Sequence, residues 1–180
     1  MKHKLEVDLQ ELEIALTWRS TASHSYLDLE TGAVVTIDDQ SRQTLESIYK
    51  ELAKRGVRER DVPLAKQLEQ FEFLRERFKG DLLVAYRVER ELGSRYISIE
   101  PAGADQDSED AKAFVLTIDD AVLQDHLMQA IKAGGALRRF KDLVYSDPEI
   151  HEQWYAFQGA RTRQRVLEWL QKRNIEPIAS

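Results

Sequence analysis

The sequence predicts an α+β fold that is rich in helix and forms a single domain over residues 1–180. Three observations predict this class. Hydrophobic residues make up 42% of the chain, most of them recur at helical spacing, and two segments alternate as strands do. Those segments form a hairpin near residues 25–37 and a strand near 95–100, which predicts a small, mostly antiparallel sheet. A length of 180 residues fits one domain.

The hairpin follows a first amphipathic helix, which is predicted over residues 6–19 from its leucine spacing. The segment SYLDLETGAVVTI is typical of two short strands around a turn at Gly32. Glycine can adopt the positive φ that such a turn needs. Strand alternation predicts that Leu27 and Leu29 lie on one face, and that His24, Tyr26 and Asp28 lie on the other.

The middle of the chain predicts further helices, the second strand segment and a loop. Helical spacing predicts a second helix and then a third, whose N-cap is expected at Asp61. Residues 81–92 show both helical and strand features, and an N-terminal cap with a C-terminal glycine favours a helix. The alternating segment RYISIEP predicts the strand near 95–100, and the acidic segment 103–110 predicts a mobile loop.

The C-terminal part, residues 134–173, is predicted to be basic and helical. A helix capped by Asp119 or Asp120 precedes it, and Asp147 followed by proline begins the last helix. Residues 132–180 carry a net charge of +3 and the remainder carries −9, against −6 for the whole chain. Such asymmetry favours an anionic partner at the C-terminal end.

Composition excludes several classes of function. The chain has no cysteine, which excludes disulfides, thiol nucleophiles and cysteine-based metal sites. Its four histidines lack ligand spacing, so we expect no bound metal and no cofactor. No apolar run reaches the about 20 residues that cross a bilayer, and the N-terminal segment lacks the features of a signal peptide. We therefore expect a cytoplasmic protein that does not contact membranes.

Carboxylates offer the main candidate chemistry for an enzyme. A metal-assisted hydrolase would use Asp28, Asp38 or Asp119, since carboxylates bind divalent cations. Asp38 and Asp119 also lie where helices need an N-cap, which is the more common role of such residues. We therefore keep hydrolysis as an alternative and favour a protein that is not an enzyme.

The most distinctive segment is residues 134–157, where cations and aromatic side chains are mixed. Adjacent arginines near a helix start meet the positive end of the helix dipole, so carboxylates of the chain or an anionic partner must offset them. Phe140 shares a helical face with Leu137 and Val144, which predicts a core position. The aromatic residues Trp154, Tyr155 and Phe157 lie on one predicted helix and cannot all face inward. The candidate binding residues are Arg138, Arg139, Lys141, Asp142, Trp154 and Tyr155.

Mixtures of arginine and aromatic side chains suit a hot spot for a protein partner or the stacking of nucleic-acid bases. A sequence pI of about 5.3 disfavours general nucleic-acid binding, because such proteins are usually strongly basic. We therefore expect a protein partner, with local nucleic-acid binding by the same residues as the alternative.

The C-terminal motifs resemble those of a bacterial family. The run GALRRFKD at 135–142, Trp154-Tyr155-x-Phe157 and Trp169-Leu170 are similar to the uncharacterised protein family UPF0158, as are segments 26–32 and 96–99. Leu137 stands where the family typically has phenylalanine, Asn174 stands where glycine is common, and 57–92 matches no segment of it. The resemblance implies a bacterial cytoplasmic protein and implies no particular reaction.

Overall fold

The computed structural model describes residues 3–57, 63–72, 74–133, 135 and 137–178. The protein is helix-rich and contains a three-stranded antiparallel sheet, which confirms the predicted α+β class. Its residues group into two compact units, Met1–Glu100 with Glu176–Ser180, and Pro101–Ile175. The prediction of a single domain stays a prediction.

The first unit combines two small sheets with four helices among its described residues. Its strands are β1 (His3–Glu6), β2 (Ser23–Asp28), β3 (Val34–Asp38), β4 (Tyr96–Ile99) and β5 (Ile175–Ile178). Its helices are α1 (Leu9–Thr17), α2 (Asp39–Lys54), α3 (Leu64–Leu68) and α4 (Glu76–Arg90). Strand β2 lies at the centre of the sheet β3-β2-β4 and is antiparallel to both neighbours, while β1 pairs with β5.

Apolar side chains of α2 and α4 build the core of this unit. Leu45, Ile48 and Leu52 recur along one face of α2, and all three are buried. Helix α4 buries Leu82, Ala85 and Val88, which recur every three residues. The helix expected at 81–92 is therefore confirmed over 81–90 as part of α4, which ends at Arg90. The N-cap expected at Asp61 lies outside the described residues.

One expectation for this unit was wrong. The predicted helix 6–19 is shorter, because residues 3–6 pair as β1 and Asp8 then caps α1 by accepting from the Gln10 N–H at 2.8 Å. In β2, Tyr26, Leu27 and Asp28 are all buried, whereas His24 is exposed. The C-terminal half of β2 is therefore buried on both faces, whereas its N-terminal half is partly exposed.

Gly32 has the positive φ expected of the hairpin turn, at 75°. A second constraint comes from β1, since a Cβ atom at this position would lie 1.7 Å from the Glu6 carbonyl oxygen. Only glycine allows the turn to approach that strand so closely.

The second unit consists of α5 (Ala104–Val115), α6 (Ala121–Lys132), α7 (Arg138–Ser146) and α8 (Pro148–Lys172) in its described part. Helix α6 is capped by Asp120, which accepts from the Val122 and Leu123 N–H groups, and α8 is capped by Asp147. An aromatic cluster fills the interior and consists of Phe114, Phe140, Trp154 and Phe157. The basic C-terminal part, 134–173, contains α7 and α8.

The acidic segment 103–110 is not a loop, because residues 104–115 form α5. Asp105 and Asp107 lie in the first turn, where negative charge is favourable at the positive end of the helix dipole. Ala111, Phe114 and Val115 then bury one face of the helix. Polar composition alone suggested a loop, while the placement of the acids suits a helix start.

Candidate functional site

The candidate surface begins where α7 begins, at Arg138. The preceding residue, Leu137, has a left-handed backbone with φ of 64° and offers no polar side chain to cap the helix. The Arg138 N–H instead donates to the Gly135 carbonyl at 3.0 Å, and the Lys141 N–H donates to the Leu137 carbonyl at 2.9 Å. Two arginines therefore occupy the first turn of a helix that lacks an acidic cap.

Helix α7 buries Phe140 and Val144 completely. The Phe140 ring contacts Trp154 edge-on, with centroids 5.1 Å apart, and Phe114 lies 6.4 Å away. Trp154 is only 2% exposed. Two consequences follow: Phe140 is a core residue as expected, and Trp154 holds the helices together rather than facing a partner.

The charged residues of α7 remain at the surface. Arg138, Arg139 and Asp142 are exposed, and Lys141 is half-buried. Within the part of the chain that the structure describes, neither arginine side chain forms a hydrogen bond or an ion pair. Intramolecular pairing with Asp142, Glu149 or Glu152 was one expected explanation for them, and those contacts are not formed.

Two tyrosines extend this surface. Tyr145 is 57% exposed and Tyr155 is 76% exposed. Arg138, Asp142 and Tyr145 are spaced i, i+4, i+7, so they share one side of α7. The Tyr145 ring contacts His151 edge-on at 4.9 Å, and Tyr155 lies one turn further along α8. We call the set Arg138, Asp142, Tyr145, His151 and Tyr155 the α7–α8 face.

Sequence reasoning missed Tyr145 and His151. The spacing of Tyr145 from Arg138, seven residues, could have placed it on the same side of the helix. No sequence signal could have found the contact between Tyr145 and His151, because it depends on the angle between α7 and α8.

The arginines of α8 belong to a different arrangement. Arg161 Nε donates to Asp110 Oδ1 at 3.2 Å, and Arg165 Nη1 donates to Asp110 Oδ2 at 2.6 Å. The Asp110 side chain is only 5% exposed, so two guanidinium groups neutralise a buried carboxylate. These contacts fix α5 to α8. Arg161 and Arg165 thus have a structural role and are not part of the α7–α8 face.

Asp28, one of the three candidate catalytic carboxylates, forms a bidentate ion pair with Arg95. Arg95 Nε donates to Oδ1 at 2.9 Å and Nη2 donates to Oδ2 at 2.7 Å. Burial alone would raise the pKa of Asp28. Hydrogen bonds from Arg95, the Glu30 N–H and Thr31, together with the charge of Arg95, outweigh burial and lower the pKa from 3.8 to about 2. A carboxylate held in this way is a poor general base.

The other two candidate carboxylates lie at the starts of α2 and α6. Asp38 caps α2, with the Ser41 N–H donating to it at 2.6 Å, and Asp119 is exposed beside the α6 cap. Among the residues described, no three His, Asp or Glu side chains are placed to hold one metal ion. The geometry therefore offers no support for metal-assisted hydrolysis.

Comparison with known proteins identifies a family and one curated relative. A family model described as uncharacterised protein family (UPF0158) matches residues 81–180. The chain is 26% identical over 85 residues to UPF0158 protein PA5073 of Pseudomonas aeruginosa, and this alignment covers 47% of the chain and 56% of that relative. The chain thus spans little more than half the length of this curated relative. No solved structure matches it.

The matched region contains the whole α7–α8 face. It also includes residues 81–92, which the sequence resemblance left unassigned, and excludes the segment 26–32. Asn174 has a left-handed φ of 57° just after α8, which explains why glycine suits this position in the family. Across the described residues, no helix is both long and apolar enough to cross a membrane.

Proposed function

The chain belongs to the uncharacterised protein family UPF0158, and we propose that it is a bacterial cytoplasmic binding or regulatory protein rather than an enzyme. It contacts a protein partner through the α7–α8 face, with Arg139 and Lys141 beside that face. The observation that carries this proposal is the state of Arg138 and Arg139, which are exposed at the start of α7 and form no ion pair within the described residues.

Two adjacent cations at this end of a helix are unfavourable by a few tenths of a kcal/mol to about 1 kcal/mol each. A carboxylate from a partner would remove that cost. The neighbouring tyrosines add apolar contact area, and tyrosine and arginine are the residue types that dominate binding energy at protein interfaces. The α7–α8 face therefore has the composition of a small protein-binding surface.

Charge favours a protein over a nucleic acid. The chain carries a net charge of −6, and the α7–α8 face includes Asp142, with Glu149 and Glu152 in the first two turns of α8. These carboxylates would repel a phosphate backbone, whereas a protein surface can pair with both signs of charge. Local nucleic-acid binding by the same residues is the alternative that the test below separates.

The test is affinity capture from a lysate of the producing cell, with and without nuclease, read by mass spectrometry. The informative variant is Arg138→Gln with Tyr155→Ala. We expect wild type to capture a nuclease-resistant protein and the variant to lose it. The variant should melt as wild type does, because exposed side chains contribute at most about 1 kcal/mol.

Two controls match the chemistry of these changes. Lys112→Gln with Lys132→Gln removes two exposed cations from the same unit, and Trp18→Ala removes an aromatic side chain that is 69% exposed in the other unit. Both controls should capture the partner normally. Retention of every wild-type partner by the Arg138→Gln, Tyr155→Ala variant would contradict the proposal, and loss of the signal on nuclease treatment would favour nucleic acid.

A further inference from the structure

A groove with a volume of about 380 Å³ runs between α6 and α7, next to the α7–α8 face. Helix α6 contributes four residues at spacing i, i+3, i+4, i+7, and α7 contributes two at i, i+4. The lining residues are His126, Gln129, Ala130, Ala133, Arg139 and Leu143. Each helix thus presents one continuous side to the groove.

The residues that line the groove include one strongly basic side chain and several small or apolar ones. Arg139 is the one Lys, Arg, Asp or Glu among the described lining residues, although the chain as a whole has 32 acidic residues and 26 basic ones. Ala130 and Ala133 have small side chains, and Leu143 is 42% exposed. The groove therefore offers a cation beside a small apolar floor, which an acidic group next to an apolar side chain would complement.

We propose that this α6–α7 groove binds a short amphipathic segment of a partner protein, carrying an acidic side chain next to an apolar one. The carboxylate pairs with the Arg139 guanidinium, and the apolar side chain packs on Ala133 and Leu143. The proposal rests on the function proposed above and names the chemistry of the partner. It assigns Arg139 to this groove, whereas Arg138 belongs to the neighbouring face.

The dimensions suit a helical segment. The side of α6 from His126 to Ala133 covers eight residues, and the seven steps between them span about 10 Å at about 1.5 Å per step, which is two helical turns. The two alanines allow a third helix to approach closely, as helix-in-groove recognition requires. A phosphate backbone would pair with Arg139 but would leave Leu143 and the alanines uncovered, so a peptide complements the groove better than a nucleic acid.

The test begins with a phage-displayed library of helical 12-residue peptides, selected on the immobilised full-length protein. We expect enriched peptides to carry Asp or Glu three or four residues from Leu, Ile, Met or Phe. A synthetic copy of the strongest peptide is then labelled with fluorescein, and its binding is measured by fluorescence polarisation. This peptide is the probe for every variant.

Two variants and two matched controls decide the assignment. Arg139→Gln should weaken binding of the peptide about tenfold, which is the loss of one charge-assisted contact. Ala133→Phe should weaken binding of the peptide more than about tenfold, because the larger side chain fills the groove. Residue 133 is exposed and has an ordinary right-handed helical backbone, so we expect this variant to fold. The controls Lys132→Gln and Ala121→Phe should bind within about twofold of wild type.

Several results would overturn the inference: no enrichment, enriched peptides without an acidic residue, or unchanged binding by Ala133→Phe with a normal melt. Competition by a 20-nucleotide single-stranded DNA that itself requires Arg139 would assign the groove to nucleic acid instead. Failure here is distinguishable from failure of the proposed function. If lysate capture requires Arg138 and Tyr155 but survives Ala133→Phe, only the groove assignment is wrong.

Discussion

Replacing Asp28 with asparagine keeps the shape of the side chain and removes the charge that Arg95 binds. Asp28 is 4% exposed, and its two oxygens accept from Arg95 at 2.9 and 2.7 Å. The asparagine oxygen can still accept from the Glu30 N–H, so the turn is preserved. The amide nitrogen cannot accept from Arg95 as the second carboxylate oxygen does, so the substitution removes the buried negative charge together with one hydrogen bond.

The expected loss follows from the pKa of Asp28. Its value of about 2, against 3.8 for an unperturbed carboxyl, corresponds to about 2.5 kcal/mol at about 1.4 kcal/mol per pKa unit. Because the folded-state pKa is lowered, this stabilisation is fully present above about pH 4 and is lost as the pH falls through about 2. We therefore expect Asp28→Asn to lower the free energy of unfolding by about 2–3 kcal/mol at pH 7.

Urea unfolding of the full chain, followed by circular dichroism at pH 7, 5, 4, 3 and 2.5, measures the difference between wild type and variant. The difference should be constant from pH 7 to 5 and should shrink below pH 4. Glu30→Gln is the matched control, because Glu30 binds the same Arg95 at 2.6 Å but is 65% exposed, and it should cost less than about 1 kcal/mol. A difference under about 0.5 kcal/mol for Asp28→Asn, or one independent of pH, would refute this account of the ion pair.

Two further predictions concern packing. Phe140→Ala should lower the free energy of unfolding by about 3–5 kcal/mol, since the ring is fully buried. Tyr155→Ala is the control and should leave the thermal melt unchanged. Equal melting temperatures for the two variants would contradict this prediction. Gly32→Ala should cost more than about 2 kcal/mol, because it combines a positive φ with a clash against the Glu6 carbonyl oxygen, and a thermal melt would show it. A Gly32→Ala variant as stable as wild type would mean that the turn does not approach β1.

The sequence predicted those parts of the fold that local patterns determine. The hairpin, the strand β4, the α8 cap at Asp147 and the core position of Phe140 all follow from spacing or from capping chemistry. Strands β1 and β5 were missed because each has four residues and its partner lies at the other end of the chain. Helix α5 was missed because its acidic composition concealed three buried side chains at helical spacing.

The ion pairs could not be predicted, for a related reason. Asp28 and Arg95 are 67 residues apart, and Asp110 lies 51 and 55 residues from its two arginines. Spacing rules relate residues within a helix or between adjacent strands, so they cannot select one arginine from many for a distant carboxylate. The α7–α8 face was partly predictable, since Arg138, Asp142 and Tyr155 were candidates, but exposure alone separates Tyr155 from the buried Trp154.

The two buried carboxylates also clarify why the first turn of α7 is unusual. Arg95, Arg161 and Arg165 each bind an aspartate with less than a tenth of its side chain exposed. These three arginines therefore have carboxylate partners within the chain. Asp142 lies one turn from Arg138 and is exposed, yet no ion pair forms between them in the structure described. Removing Arg138 and Arg139 should therefore leave folding almost unaffected, because exposed and unpaired cations at the positive end of a helix do not stabilise it. Arg138 and Arg139 lie close to exposed tyrosines and to the α6–α7 groove, and this placement supports the proposal that they contact another molecule.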